Sequence, residues 1–327
     1  MLSLNSLKSN VFHINNENFE RHAIALFQFQ YNNNKIYQNY VNHLGIRPQD
    51  VNHVKRIPFL PIRFFKSNII KTGSFQKQHV FLSSGTTGAT SKHYIEDLEY
   101  YKKVSAKIFS SFYGELEKSV IIGLLPSYLE RDNSSLVYMV NHFIEKSGNP
   151  HSGFYLKNLN ELVDKIQSIS TEGSPIYLFG VTFALLQLAA NYKIDVNSLH
   201  IFETGGMKGR GEELTREELH IKLRSAFKTK NIYSEYGMTE LLSQAYMKSD
   251  GLFYAPPWMK VFVREIHDPF CYVEEGKTGV IKVIDMANVH SCAFVETEDL
   301  GINIGDGFNV LGRLDNSDIR GCNLLLS

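Results

Sequence analysis

A strand-like run enters a glycine-rich loop in the stretch HVFLSSGTTGATSKH, residues 79–93. The apolar residues at its start predict a β-strand that ends in a turn. The hydroxyl groups that follow can donate hydrogen bonds to anionic oxygens, and Gly85 and Gly88 let backbone N–H groups approach a ligand closely. The loop is therefore suited to bind a polyphosphate, although Gly/Ser/Thr clusters are also typical of ordinary surface loops.

The spacing within this loop excludes a P-loop. That motif has four residues between its glycines and a lysine directly after the second glycine. Here two residues separate Gly85 from Gly88, and Lys92 does not follow a glycine. A phosphate-binding role for this loop therefore depends on what the rest of the chain contains.

The overall composition indicates a globular protein with a substantial core. The chain has 327 residues, of which 43% are hydrophobic and 21% are charged. Its 34 basic and 34 acidic residues cancel, so we expect no nucleic acid partner and no polybasic membrane patch. The N-terminus lacks the apolar core of a signal peptide, and no apolar run has the length of a membrane helix. We therefore expect a cytoplasmic protein.

Apolar strands alternate with helical patterns through the middle of the chain. Helices are predicted at 18–32, 36–44, 98–114, 136–145, 159–168, 183–192 and 212–227, and strands at 119–126, 175–180, 199–204 and 231–236. This alternation is typical of a parallel α/β sheet. After Trp258, short β-like runs at 260–266, 279–284, 293–297 and 309–311 predict a small antiparallel β subdomain.

Two further polar clusters follow predicted strands, where open parallel sheets bind ligands. One is the stretch 203–207, which reads ETGGM, and the other is 236–240, which reads YGMTE. In the second, Tyr236 offers a flat face for an aromatic base, Thr239 a hydroxyl for a phosphate and Glu240 an oxygen for Mg²⁺. An acidic first turn of a helix is the simpler alternative for this stretch.

Two charged segments near the end of the sequence complete the pattern. Asp299 lies in a predicted acidic turn, where a carboxylate can accept hydrogen bonds from ribose hydroxyls or act only as a turn former. Residues 312–315 read GRLD, and a glycine beside charged residues suits a hinge, although a solvated loop is the commoner structure.

Taken in order, these segments resemble the adenylate-forming enzymes, which include acyl-CoA synthetases, peptide-synthetase adenylation domains and luciferases. The resemblance covers residues 80 to 320 and implies an α/β fold, with parallel sheets flanked by helices and a small antiparallel subdomain. It implies a catalytic role for Lys92, Thr239 and Glu240, with Mg²⁺ at Glu240. The ATP-binding residues that it implies are Ser84, Gly85, Thr86, Thr87, Gly88, Glu203, Gly205, Gly206, Tyr236, Asp299 and Arg313.

Within this class the chain looks most like the LuxE-like acyl-protein synthetases, which are related to phenylacetate-CoA ligases. The similarity is carried by residues 19–45, 58–62, 179–183 and 320–323. It implies activation of a carboxylic acid, in the first place a fatty acid, with ATP and Mg²⁺, and transfer of the acyl group to a protein thiol. It also implies that the protein acts together with an acyl reductase or an acyltransferase as a partner protein.

The resemblance assigns the acyl-accepting thiol to a cysteine near the C-terminus, a position that Cys322 occupies. A thiolate is a good acyl acceptor, although free cysteines are commonly buried as small apolar side chains. Cys271 and Cys292 lie in or beside β-like runs, and we expect them to be structural. No CxxC pair is present, which argues against a disulfide framework or a cysteine zinc site.

The chain departs from the wider superfamily in two places. Residues 89–92 read ATSK where most members have proline before the lysine, and the sequence ends soon after Gly312. We therefore expect an adenylate-forming N-terminal domain at 1–311, with the β-rich subdomain at 258–311, and only a hinge and a short arm at 312–327. The usual C-terminal catalytic lysine would then be replaced by Lys92 and the metal, or by a partner protein.

The acid is expected to lie in a pocket lined by Phe179, Phe183, Gly205 and Met238. Two other functions stay open at this point. The protein could be an aryl- or acyl-CoA ligase, which the expected lack of a C-terminal domain disfavours. It could also be a catalytically silent acyl- or nucleotide-binding partner, which the presence of Thr239, Glu240, Asp299 and Arg313 disfavours.

Overall fold

The computed structural model describes residues 4–84, 90–125, 132–155, 158–169, 173–205 and 214–314. The helices are α1 (Leu4–Asn10), α2 (Phe19–Asn33), α3 (Lys35–His43), α4 (Phe64–Ser67), α5 (Leu98–Tyr113), α6 (Ser135–Ser147), α7 (Leu159–Ile169), α8 (Thr182–Asn191) and α9 (Arg216–Phe227). The strands are β1 (Leu60–Pro61), β2 (His79–Leu82), β3 (Lys92–Ile95), β4 (Val120–Leu124), β5 (Gly153–Phe154), β6 (Ile176–Val181), β7 (Leu199–Thr204), β8 (Ile232–Tyr236), β9 (Ala245–Met247), β10 (Phe253–Tyr254), β11 (Met259–Arg264), β12 (Gly279–Asp285), β13 (Phe294–Ile304) and β14 (Gly307–Arg313).

One large mixed sheet forms the centre of the molecule. Its strand order is β11-β12-β13-β14-β10-β9-β8-β7-β6-β4-β5, and β1 pairs with β13. Strands β5, β4, β6, β7 and β8 run parallel. The strands from β9 onward pair antiparallel with their neighbours, except that β1 pairs parallel with β13. The predicted α/β class and its antiparallel part are therefore confirmed, and both parts belong to the same sheet. Strands β2 and β3 form a separate hairpin.

Helices cover the two faces of the parallel strands. On the first face, which we call the α5 face, the Phe109 ring of α5 packs against Phe179 and Phe202 at centroid distances of 5.8 and 5.7 Å. Since successive strand residues point to opposite sides, Gly180 faces the second, or α8, face. A Cβ at Gly180 would lie 2.7 Å from the Leu185 side chain, so the glycine lets α8 approach the sheet closely.

Local sequence signals explain where the main helices begin and end. The Asp97 side chain accepts a hydrogen bond from the backbone N–H of Tyr100 at the start of α5. Thr215 and Glu218 form a capping box at the start of α9. Gly148 follows the last residue of α6, and its φ of 59° lies in the left-handed region that glycine adopts most easily.

The N-terminal helices pack against the antiparallel part of the sheet. The Gln30 side chain of α2 donates to the carbonyl oxygen of Asn288 and accepts from the N–H of Ala293. The Tyr37 ring of α3 stacks on Phe294 at 5.9 Å. Helices predicted at 18–32 and 36–44 thus form within one residue of the expected positions, because their apolar residues recur at helical spacing.

Two polar residues lie in strands where the sequence suggested loops or turns. The expectation that Asp299 lies in a turn is wrong, because Asp299 pairs with Arg313 inside the β13–β14 ladder. Gly312 and Arg313, which were assigned to the hinge, are the last residues of β14, and the rest of the hinge lies outside the described residues. Among the helices that the structure describes, none has the length and apolarity needed to cross a membrane.

Candidate functional site

Several of the predicted site residues meet where β7 and β8 end. Thr204 on β7 pairs with Glu235 on β8, so Gly205 and Tyr236 lie beside each other at the same edge of the sheet. Gly205 has a φ of 61°, a conformation that costs glycine little. This is the edge at which open parallel sheets bind ligands.

Tyr236 and Asp299 are joined directly, although they come from different strands. The Tyr236 hydroxyl donates a 2.8 Å hydrogen bond to Oδ2 of Asp299, and the Arg313 Nε lies 3.8 Å from Oδ1. Burial raises the pKa of Asp299, while the Tyr236 bond and the Arg313 charge oppose that rise. The Tyr236 ring packs against Phe253 and Phe308 at 5.9 and 5.5 Å. Three residues predicted from separate motifs therefore form one contiguous group.

Glu240 is a nearly buried carboxyl group with a hydroxyl partner. Its side chain is 5% exposed, and Ser91, just before β3, donates to it. Burial raises the pKa of Glu240, and the Ser91 bond opposes the rise. Within the described residues no cluster of three or more His, Cys, Asp or Glu side chains is arranged to hold a metal ion. A single oxygen ligand nevertheless suits Mg²⁺, which often binds through one carboxylate together with substrate phosphates.

His93 holds the turn that carries Thr239 and Glu240. Its Nδ1 lies 2.7 Å from the Thr239 carbonyl oxygen, and its Nε2 lies 3.1 Å from Oδ1 of Asn288. The Asn288 amide in turn donates to the Glu240 carbonyl oxygen. Burial lowers the pKa of His93 to about 4, so the ring is neutral at neutral pH and donates to the nearer acceptor, Thr239. His93 therefore positions this turn from inside the protein.

Asp285 fixes the backbone that follows Glu240. It is fully buried and accepts hydrogen bonds from the N–H groups of Leu242 and Ser243 and from the Ser243 hydroxyl. The Trp258 indole donates to the same Ser243 hydroxyl at 2.9 Å. No sequence motif identifies Asp285 or Asn288 as residues that position this turn, because the partners of both residues in the turn lie far away along the chain.

Glu203 serves as an internal anchor. Its two carboxylate oxygens accept hydrogen bonds from the hydroxyls of Thr182 at 2.5 Å and Ser234 at 3.0 Å. The His220 ring of α9 contacts the Ser234 hydroxyl at 3.1 Å. These contacts point the Glu203 side chain to the α8 face, so they tie three elements together at the end of β7.

Arg216 is a cation close to this site that the sequence motifs did not identify. Its guanidinium group lies 4.8 Å from the centre of the Phe253 ring and donates to Asn309 and Val310. Burial lowers the pKa of Arg216, and the Glu203 charge opposes that shift. The position of Arg216 in a capping-box helix gives no hint of this contact.

The expected acid-pocket residues are spread over both faces of the sheet. Phe179 is fully buried on the α5 face and stacks on Phe202 at 4.8 Å. Phe183 belongs to the first turn of α8, which covers the opposite face, and Met238 lies partly buried in the turn after β8. The structure therefore does not bring Phe179 and Phe183 together.

The other predicted residues divide into described and undescribed positions. Ser84 and Lys92 are both exposed, and Lys92 begins β3 opposite Leu82. Cys292 is buried, which raises the pKa of its thiol to about 12, whereas Cys271 is exposed. The positions that lie outside the described residues are Gly85, Thr86, Thr87, Gly88, Gly206 and Cys322.

The fold is similar to that of solved adenylate-forming enzymes. ATP-bound MatB from Rhodopseudomonas palustris superposes with a TM-score of 0.55 at 16% identity over 74% of this chain and 49% of that protein. A 2-hydroxyisobutyryl-CoA ligase superposes with a TM-score of 0.64 at 13% identity over 97% of this chain and 73% of that protein. The chain thus spans about half the length of MatB.

Two curated sequences are similar to this chain over most of its length. The long-chain-fatty-acid–luciferin-component ligase of Vibrio harveyi is 22% identical over 326 residues, which cover 92% of this chain and 85% of that protein. The ligase of the same name from Aliivibrio fischeri is 22% identical over 294 residues, covering 84% and 76%. No protein-family model matches the sequence. The predicted resemblance to LuxE-like ligases and the predicted fold are confirmed.

Proposed function

We propose that this protein is a ligase that uses ATP to activate a carboxylic acid as an acyl-adenylate and then transfers the acyl group to a protein thiol. The observation that carries the proposal is the Tyr236–Asp299 hydrogen bond beside the Thr239–Glu240 turn. In our proposal Asp299 binds the ribose hydroxyls and Glu240 binds Mg²⁺, and the Arg313 charge acts on both carboxyl groups. The similarity to two named fatty acid ligases supports the same reaction and favours a fatty acid.

In the first step, a carboxylate oxygen of the acid attacks the α-phosphorus of ATP, and pyrophosphate leaves with the electron pair of the broken P–O bond. Both reactants are negative, so the protein must supply donors and positive charge where charge develops. Lys92 and the Thr239 hydroxyl are available for the phosphates, and Arg313 lies beside Asp299. Glu240 would hold Mg²⁺, which supplies charge neutralisation for the phosphate oxygens when bound.

In the second step, a thiolate attacks the acyl carbonyl carbon and AMP leaves. Cys322 is our candidate thiol on the basis of the resemblance alone, and an acyl reductase or an acyltransferase is the candidate partner. If Cys322 is the acceptor, Cys322→Ala should abolish acyl labelling by radiolabelled fatty acid and ATP, while Cys271→Ala should retain it. AMP release that requires CoA would instead identify an acyl-CoA ligase.

ATP–pyrophosphate exchange over a panel of fatty and aryl acids tests the first step. We expect exchange with at least one acid. In Asp299→Asn the exchange rate should fall about 100-fold, because a neutral amide forms weaker hydrogen bonds with ribose hydroxyls than a carboxylate does. Glu298→Gln is the matched control, since it removes the adjacent carboxylate from the same strand. The absence of exchange with every acid, with intact folding, would favour a nucleotide-binding partner over a ligase.

A further inference from the structure

Three polar side chains meet on the α5 face where β7, β8 and β9 come together. Thr204 pairs with Glu235, and Glu235 pairs with Tyr246, so their side chains share one face. Gln244 lies two residues before Tyr246 and faces the same way. A Cβ at Gly237 would lie 2.1 Å from Oε1 of Glu235 and 3.3 Å from Cγ of Gln244, so both side chains lie over this glycine.

Two of these side chains are buried with unused hydrogen-bonding atoms. Thr204 is 1% exposed and Gln244 is 5% exposed. Within the described part of the chain, neither the Thr204 hydroxyl nor Oε1 of Gln244 has a hydrogen-bond partner. The Gln244 amide nitrogen donates to the Leu242 carbonyl oxygen, which leaves the oxygen as the free end. Unpaired buried polar atoms are costly, and two at one strand end indicate a polar group that binds there.

Aromatic rings pack beside these three side chains on the same face. The Phe202 ring lies 4.8 Å from Phe179, 5.7 Å from Phe109 and 6.0 Å from Tyr246. The polar end of the face is also one residue away from Gly205 and from Tyr236, at the edge where the activated acid is expected. A molecule that reaches this edge can therefore contact the unused atoms of Thr204 and Gln244.

We propose that Thr204, Glu235 and Gln244 bind a hydroxyl group of the carboxylic acid, so that the protein selects hydroxylated acids over plain alkyl acids. A hydroxyl satisfies both unused atoms at once, because it donates to Oε1 of Gln244 and accepts from the Thr204 hydroxyl. This inference rests on the proposed acid-activating function and narrows its substrate class.

The charge of the subsite favours a hydroxyl over an ammonium group. Burial, together with the nearby charge of Glu203, raises the pKa of Glu235 to about 8. At neutral pH Glu235 is therefore mostly protonated and does not act as a fixed counter-ion. A neutral carboxyl group can still donate to, or accept from, a substrate hydroxyl.

The test compares acids that differ by one group. Octanoate, its 2-hydroxy, 3-hydroxy and 8-hydroxy derivatives and 8-aminooctanoate are assayed by ATP–pyrophosphate exchange. We expect at least one hydroxy acid to exceed octanoate about tenfold or more in kcat/KM. Thr204→Val and Gln244→Leu should each lower the kcat/KM for the preferred hydroxy acid about tenfold, which corresponds to one buried hydrogen bond. Neither substitution should change the kcat/KM for octanoate. Ser198→Ala removes a hydroxyl just before β7 that has no hydrogen-bond partner among the described residues, and it should change neither value.

Two results would overturn the inference. One is equal use of octanoate and its hydroxy acids, which leaves the acid-activating function intact. The other is a Thr204→Val variant that is less stable than the parent protein when no ligand is present. That result would mean that the Thr204 hydroxyl already forms a hydrogen bond, for example with an internal water. Thermal stabilisation by a hydroxy acid but not by octanoate, measured without ATP, supports the subsite. If a hydroxy acid stabilises the protein but no acid supports exchange, the subsite is supported and only the proposed acid-activating function fails.

Discussion

The hydroxyl of Tyr236 donates a hydrogen bond to the carboxylate of Asp299, a residue 63 positions further along the chain. The bond joins the end of the parallel strands to the middle of the long antiparallel strand β13. Strands β14, β10 and β9 lie between β13 and β8 in the sheet order, so the bond joins two strands that do not pair with each other.

Replacing Tyr236 by Phe removes this bond and leaves the mostly buried carboxylate of Asp299 with Arg313 only. We expect the free energy of unfolding to fall by about 1.5–3 kcal/mol, the range for hydrogen bonds to charged groups. The KM for ATP should also rise, since Asp299 is no longer held in place. Urea unfolding and the ATP dependence of exchange measure the two effects. Tyr254→Phe, which removes a surface hydroxyl bonded to Asp250, should show neither effect.

Replacing Glu240 by Gln should separate activity from folding. Burial raises the pKa of Glu240, so the folded protein tolerates the charge poorly, and a neutral amide should leave thermal stability equal or higher. Exchange should fall about 100-fold, and the Mg²⁺ concentration needed for half-maximal exchange should rise. Glu274→Gln, on the surface, is the control. A Mg²⁺ dependence identical to that of the parent would show that Glu240 does not bind the metal.

The Glu203 anchor should contribute to stability through its two hydroxyl partners. Ser234→Ala and Thr182→Val each leave a buried carboxylate oxygen without its donor, and we expect each to cost about 1–3 kcal/mol. Ser198→Ala removes a hydroxyl that has no partner in the described residues and should cost little. Chemical unfolding of the three variants measures the difference. Equal stabilities would mean that solvent reaches Glu203.

Two buried histidines should make the protein sensitive to acid. Burial lowers the pKa of His93 and of His220 to about 4, below the ordinary histidine pKa of 6.5. The unfolded chain therefore binds more protons between these values. The stability that neutral rings contribute is complete above pH 6.5 and is lost as the pH falls towards 4.

The slope should be about 1.4 kcal/mol per pH unit for each ring in this window. His93→Gln should lower the slope by the contribution of one ring, whereas His53→Gln, on the surface, should leave the slope unchanged. Unfolding by urea across the window measures both. A His93→Gln slope that matches the parent would show that His93 is protonated in the folded state.

Local patterns were sufficient to predict most of the helices and strands. The predicted strand at 199–204 has the bounds of β7, and the predicted helix at 98–114 is one residue longer than α5. Such elements follow from apolar spacing and caps that lie within the element itself. Strands β9 and β10, with three and two residues, carry too few residues for a pattern and were missed.

The site was predicted only in part, for a different reason. The motif residues Tyr236, Glu240 and Asp299 were identified, because each follows or resembles a recognisable local segment. Their partners were not, because Ser91, Asn288 and Ser234 become neighbours only through the pairing of distant strands. Asp299 itself was placed in a turn, since a run of acidic residues conceals a strand whose other face is buried.

The sequence by itself determined the fold class, the order of the elements and the loop and motif residues suited to a nucleotide, because these depend on side-chain chemistry and short-range spacing. Only the tertiary structure decided that Asp299 is held by Tyr236 and that Glu203 is an internal anchor. It also decided that Thr204 and Gln244 have polar atoms without a partner among the residues that the structure describes. These relationships depend on strand order and register, which bring together residues that no local pattern relates.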